Sequence, residues 1–132
     1  MTRVSTHLMF QGNATEALDT YSTVFSDFIV ENVEKYGEDE QGKPDTIKQA
    51  YVSFAGHRLI VIDSPPVHEF EFTPSMSLFV DFESEDALET AFAQLSEGGK
   101  VMMPLDDYGF SKRFGWLSDR FGVSWQLNLP KD

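Results

Sequence analysis

Glu16-Ala17-Leu18-Asp19-Thr20 and Asp86-Ala87-Leu88-Glu89-Thr90 are the same five-residue helical segment with its acids exchanged, written twice at an offset of 70 residues. Each lies inside an amphipathic pattern. Ala14, Ala17, Leu18, Tyr21, Val24 and Phe25 recur at helical spacing between Asn13 and Ser26, and Ala87, Leu88, Ala91, Phe92 and Leu95 recur after Ser84. Asn13 with Glu16 predicts a capping box for the first helix. Ser84 predicts the N-cap of the second, with Glu85 and Asp86 favourably placed in its first turn, and Gly98-Gly99 predicts its end. The same offset lays Leu8-Met9-Phe10 on Leu78-Phe79-Val80, so the strand before each helix is repeated too.

After each helix the apolar period changes from helical to alternating. Strands are expected at about 28–36, 46–55 and 58–64, and again at about 100–105, 110–118 and 123–129. Gly37 to Asp45 reads as a polar loop, Ala55-Gly56-His57 as a hairpin turn and Ser64-Pro65-Pro66 as a strand terminator. The expected fold class is therefore α+β: two βαβββ modules, residues 1–66 and 74–132, joined by a linker at 67–73 into one domain whose curved mixed sheet surrounds a cleft.

In the last strand Val123, Trp125, Leu127 and Leu129 alternate with Ser124, Gln126 and Asn128. The apolar set is expected under the helices and the polar set in the cleft. The same parity assigns Leu8, Phe10, Met76, Leu78 and Val80 to the core. It assigns Ser5, His7, Met9, Ser75, Ser77 and Phe79 to the cleft.

Composition excludes several kinds of chemistry. The chain of 132 residues has no cysteine, hence no disulfide, no thiolate nucleophile and no cysteine-held zinc or iron–sulfur cluster. A formal charge of −12 repels phosphate backbones and anionic lipid, and Lys112-Arg113 is too short to make a basic patch, so neither nucleic acid nor membrane is expected as a partner. The opening MTRVSTHLMF lacks the apolar core of a signal peptide, and no stretch approaches the roughly 20 apolar residues of a membrane span. Cytoplasmic location is the expectation.

Several runs resemble the vicinal-oxygen-chelate superfamily, the fold of glyoxalase I, extradiol dioxygenases and bleomycin- and fosfomycin-resistance proteins. They are similar in particular to its PhnB-like branch: Leu8 to Asn13, Glu97 to Pro104, Gly109-Phe110-Ser111, Phe114-Gly115-Trp116, and above all Asp119-Arg120-Phe121-Gly122-Val123-Ser124-Trp125-Gln126-Leu127. The resemblance covers essentially the whole chain and implies a homodimer, since superfamily members are typically dimers. Proteins of that branch often carry the label 3-demethylubiquinone methyltransferase. An S-adenosylmethionine enzyme usually needs a parallel sheet with a glycine-rich strand-to-helix turn, which this sequence does not offer.

Catalytic members of the superfamily hold a divalent metal with up to four His or Glu side chains. The resemblance carries those positions onto Ser5, approximately Val61, Ser75 and Gln126, none of which is a strong ligand. His7 and Asp63, two residues along, are the possible substitutes, either as ligands with Gln126 or as an acid–base pair. The competing reading makes His7 a hydrogen-bonded pocket histidine and Asp63 the start of an Asp-Ser-Pro turn. His57 and His68 read as exposed, and Gln49 stands where relatives of the branch commonly place a histidine.

Phe110, Phe114 and Trp116 share one parity in a chain with 12 phenylalanines, and together with Met9, Tyr51 and Phe79 they would suit a flat or apolar molecule oriented by Gln126 and Asn128. The expected site is thus His7, Met9, Gln49, Tyr51, Asp63, Ser75, Phe79, Phe114, Trp116 and Gln126, binding a small-molecule ligand with no metal or other cofactor. The alternative is a metal-dependent lyase, isomerase or dioxygenase with an atypical site at His7, Asp63 and Gln126.

Overall fold

In the computed structural model, which describes residues 1–66 and 69–132, the chain divides into two compact units, Met1–Phe70 and Glu71–Asp132. The first contains β1 (Thr6–Phe10), α1 (Ala14–Val24), β2 (Phe28–Lys35), β3 (Ile47–Phe54) and β4 (His57–Asp63). The second contains β5 (Leu78–Asp81), α2 (Glu85–Ser96), β6 (Lys100–Asp106), β7 (Arg113–Ser118) and β8 (Ser124–Leu129). The βαβββ order is present twice, and the class is α+β. Val67 and His68, expected in the linker, lie outside the described residues.

Each unit forms a four-stranded mixed sheet, ordered β1-β4-β3-β2 in the first and β5-β8-β7-β6 in the second, with the first strand parallel to the last and the other pairs antiparallel. Period-2 alternation then separates two faces. In the second unit Trp125, Leu127 and Leu117 are buried together with Leu88, Ala91, Phe92 and Leu95 of α2. Gly115 belongs to that packing, since a Cβ there would overlap the Phe92 ring and Leu105. Arg113 at the start of β7 donates to Glu85 and Glu89 of α2 at 2.8 and 3.1 Å, tying helix to sheet. In the first unit Leu8, Phe10, Val52, Leu59 and Val61 bury against Ala14, Ala17, Leu18 and Tyr21, with Phe25, Phe28 and Phe54 forming an aromatic cluster at 4.8–5.6 Å spacings to one another and to Tyr21.

The helix starts differ from each other in a way the repeat does not show. Ser84 caps α2 as expected, its Oγ accepting from Ala87 N at 3.1 Å. Asn13 makes no side-chain cap bond. Instead Asp63 Oδ1, at the end of β4, accepts from Gly12 N at 2.8 Å and Ala14 N at 3.0 Å, and its Oδ2 accepts from Ile47 N at 2.8 Å. A carboxylate from a distant strand thus takes the positive end of α1, a stronger acceptor than the amide it displaces.

The offset of 70 also changes along the chain. Met9 pairs with Ile62 as Phe79 pairs with Gln126, so by the last strand the offset is 64 (126 less 62). The first unit carries the longer connection, residues 36–46, between its second and third strands; the second unit has 107–112 there.

Candidate functional site

The face of each sheet that its helix leaves uncovered is the place to look for binding. Strand register defines it. In the first unit His7 pairs with Ile60, Met9 with Ile62, Tyr51 with Ile60 and Ser53 with Arg58, and residues opposite one another share a face. This face is apolar at its centre and carries the Arg58 guanidinium 4.3 Å above the Tyr51 ring, a cation–π contact. Gln49 follows the same alternation on β3 and is half-buried.

Val61 and Asp63 belong to the other face, between α1 and the sheet, each 1% exposed. This corrects the expected pairing of Asp63 with His7: the two side chains leave the sheet on opposite sides. Asp63 is committed to three backbone N–H groups, and Tyr36 Oη donates to its main-chain carbonyl at 3.0 Å. Burial, and next the charge of Asp63, hold the Tyr36 phenol above its ordinary pKa. The first-unit position equivalent to Gln126 is Ile62 rather than Val61, because Ile62 faces Met9 as Gln126 faces Phe79.

In the second unit the uncovered face is built from Phe79 and Asp81 on β5, Gln126 and Asn128 on β8, and Phe114 and Trp116 on β7, with register pairs Phe79–Gln126–Trp116 and Asp81–Asn128–Phe114. Its polar half is a hydrogen-bond chain. Trp116 Nε1 donates to Ser124 Oγ at 2.8 Å, Ser124 and Ser77 share a hydroxyl hydrogen bond at 2.6 Å, and Gln126 Nε2 donates to Ser77 Oγ at 3.3 Å. Asn128 Nδ2 donates to Asp81 Oδ1 at 2.8 Å.

The other half is aromatic. Phe114 is buried with Phe110 at 5.1 Å, Tyr108 at 6.1 Å and Phe79 at 6.2 Å, while Phe79 and Phe110 remain 56% and 59% exposed. Phe110 does not lie on β7, which begins at Arg113, but in the turn before it, from where its ring folds back on Phe114. Ser75 and Met76 precede β5 and are exposed; Ser75 bonds Thr73 at 2.6 Å, and Met76 is not the core residue its parity suggests. His57, at the start of β4, is exposed and bonds Thr6 at 2.8 Å.

The structure therefore brings Phe79, Phe114, Trp116 and Gln126 together on one face and His7, Met9, Tyr51 and Gln49 on another, and it removes Asp63 from both. Sequence alone marks Asn128 only as a ligand-orienting residue and gives no sign that Ser77 and Ser124 form a pair. Their serine-to-serine bond crosses from the segment before β5 to β8, and it becomes visible only once those strands are known to be neighbours.

A doubled βαβββ unit with one helix over each sheet is the fold of the vicinal-oxygen-chelate proteins. A glyoxylase/bleomycin resistance protein/dioxygenase domain from a Frankia species shares this fold with a TM-score of 0.69, covering 99% of each chain at 15% identity. Residues 2–128 match the family model described as 3-demethylubiquinone-9 3-methyltransferase, and the chain belongs to that family, in its PhnB-like branch. The chain is 42% identical to a PhnB protein from Bacillus cereus, with a TM-score of 0.92 over 97% of this chain and 99% of that one. It is 25% identical to Protein YjdN of Escherichia coli (strain K12), over 97% of this chain and 95% of that protein.

Neither group those relationships imply fits the residues present. For S-adenosylmethionine, each sheet has one parallel strand pair, and the N–H groups at the β1–α1 turn are already taken by Asp63. For a divalent metal, the corresponding positions are Ser5, Ile62, Ser75 and Gln126, and among the described residues no group of three or more His, Cys, Asp or Glu side chains converges.

Proposed function

We propose that this chain binds a small, flat, partly apolar molecule on the uncovered face of its second unit, and does so without the superfamily's metal. One observation carries the reading: two phenylalanines, Phe79 and Phe110, lie more than half exposed against a buried third, Phe114, directly beside the Trp116–Ser124–Ser77–Gln126 chain. Exposed rings packed around a buried ring offer stacking and edge contacts to a further ring. The polar chain supplies orientation. Its two hydroxyls accept from Trp116 at one end and Gln126 at the other, and one of their two protons is used between them. The second proton is left for an acceptor on the ligand.

Saturable fluorescence enhancement of the neutral dye N-phenyl-1-naphthylamine tests the reading. The wild-type protein is expected to bind it, and a Phe79→Ser, Phe110→Ser double variant to bind roughly tenfold more weakly, since each ring-to-ring interaction with the dye is worth about 0.5–1.5 kcal/mol. Both side chains are exposed, so the variant should keep its fold. Unchanged affinity in the double variant would move the binding site elsewhere.

Elemental analysis of protein purified without chelator is expected to find divalent metal below stoichiometry. Stoichiometric zinc, manganese, iron or nickel, lost on His7→Ala, would restore the lyase, isomerase or dioxygenase alternative. A cytoplasmic homodimer completes the proposal, supported by the family relationship; sedimentation that gives only monomer at micromolar concentration would remove it.

A further inference from the structure

Asn128 is 7% exposed, and its Oδ1 is a fully enclosed carbonyl oxygen with no hydrogen-bond donor among the described residues. Its orientation is not arbitrary. Nδ2 donates to the Asp81 carboxylate at 2.8 Å, and turning the amide over would set its oxygen against that carboxylate. Oδ1 is therefore held as an acceptor by a charged partner. A buried acceptor left without a donor costs about 1–3 kcal/mol, a penalty that a stable fold keeps where something else answers it.

The position of Asn128 says what that is. It stands on the uncovered face of β8, in register with Phe114 on one side and Asp81 on the other. Phe114 is the buried centre of the aromatic cluster. The rings around it, Phe79 and Phe110, are each more than half exposed, so displacing either one uncovers little buried area. A ring entering beside Phe114 would carry its substituents to Asn128.

We infer that the ligand of this face is an aromatic compound bearing a hydrogen-bond donor, a hydroxyl or N–H on or next to the ring, and that Asn128 Oδ1 selects it over the same compound with the donor capped. The inference rests on the aromatic-binding reading and narrows it. A site that offers a buried acceptor rejects a ligand lacking the donor, because binding then leaves the acceptor unpaired.

Titration of the wild-type protein with 4-fluorophenol and with 4-fluoroanisole, followed by fluorine NMR of each probe, tests it. The phenol is expected to bind about tenfold more tightly, and in Asn128→Leu the preference is expected to vanish while the anisole still binds. Equal affinities in the wild-type protein would overturn the selection by Asn128 and leave aromatic binding standing. Binding of neither probe would overturn aromatic binding on this face, and the selection with it. A preference that survives in folded Asn128→Leu would assign the discrimination to another group. If that variant does not fold, the wild-type ratio alone decides.

Discussion

Asp63→Ala is expected to lower the stability of the first unit by about 4 kcal/mol, since it leaves three backbone N–H groups without their acceptor at roughly 1–3 kcal/mol each. The three belong to separate pieces of chain. Gly12 and Ala14 form the β1–α1 junction, and Ile47 opens β3, so one carboxylate at the end of β4 fixes the helix start and a strand start together. Such a loss is a large part of a domain's total stability of roughly 5–15 kcal/mol. Urea unfolding followed by circular dichroism measures it. Asp63→Asn separates geometry from charge: its oxygen can still serve Gly12 and Ala14, but its amide nitrogen then meets the N–H of Ile47. An intermediate loss, near half that of alanine, is expected. A loss below about 1 kcal/mol in Asp63→Ala would mean that water replaces the carboxylate and that its burial is incidental.

Asp119→Ala is expected to cost the second unit roughly 3 kcal/mol by the same reasoning. Asp119 Oδ1 accepts from Phe121 N at 2.9 Å and Val123 N at 3.0 Å, closing the turn into β8, and Oδ2 accepts from the indole Nε1 of Trp125 at 2.9 Å. Trp125 is fully buried, so its N–H would be left in an apolar core. This makes a second readout available. The emission of Trp125 should shift and its indole N–H resonance move in the Asp119 variant, even where the fold survives. A stability loss without any change at Trp125 would confine the role of Asp119 to the turn.

These two aspartates explain why the repeat is legible in the sequence and the organising hydrogen bonds are not. The duplicated segments at Glu16 and Asp86 show the doubled βαβββ unit because amphipathic periodicity and strand alternation are local properties. The first-strand offset of 70 has become 64 by the last strand, so Asp63 is the counterpart of Leu127, and Asp119 has no acidic counterpart in the first unit. Each half of the duplication is closed by its own device. Neither device leaves a periodic trace.

The candidate site divides in the same manner. Alternation in Val123 to Leu129 is enough to put Ser124, Gln126 and Asn128 on the face away from the helix, and the pairing of β8 with β7 and β5 confirms that assignment. The family resemblance puts Val61, and with it Asp63, on the uncovered side, whereas the β1–β4 register puts Ile60 and Ile62 there. The same residue spacing is compatible with either face when both carry apolar residues, as Leu59-Ile60-Val61-Ile62 does.

By itself, then, the sequence determined the doubled architecture, the helix stripes, the lack of cysteine chemistry and the poverty of metal ligands at the superfamily positions. Tertiary structure alone decided which aspartate caps α1, that His7 and Asp63 part to opposite faces, and that Phe110 closes on Phe114, whose register partner Asn128 keeps a side-chain oxygen with no donor among the described residues. The reason is range: periodicity is read between neighbours in the chain, whereas a hydrogen bond spanning 49 residues, like that of Ala14 to Asp63, exists only once the register of two strands is set.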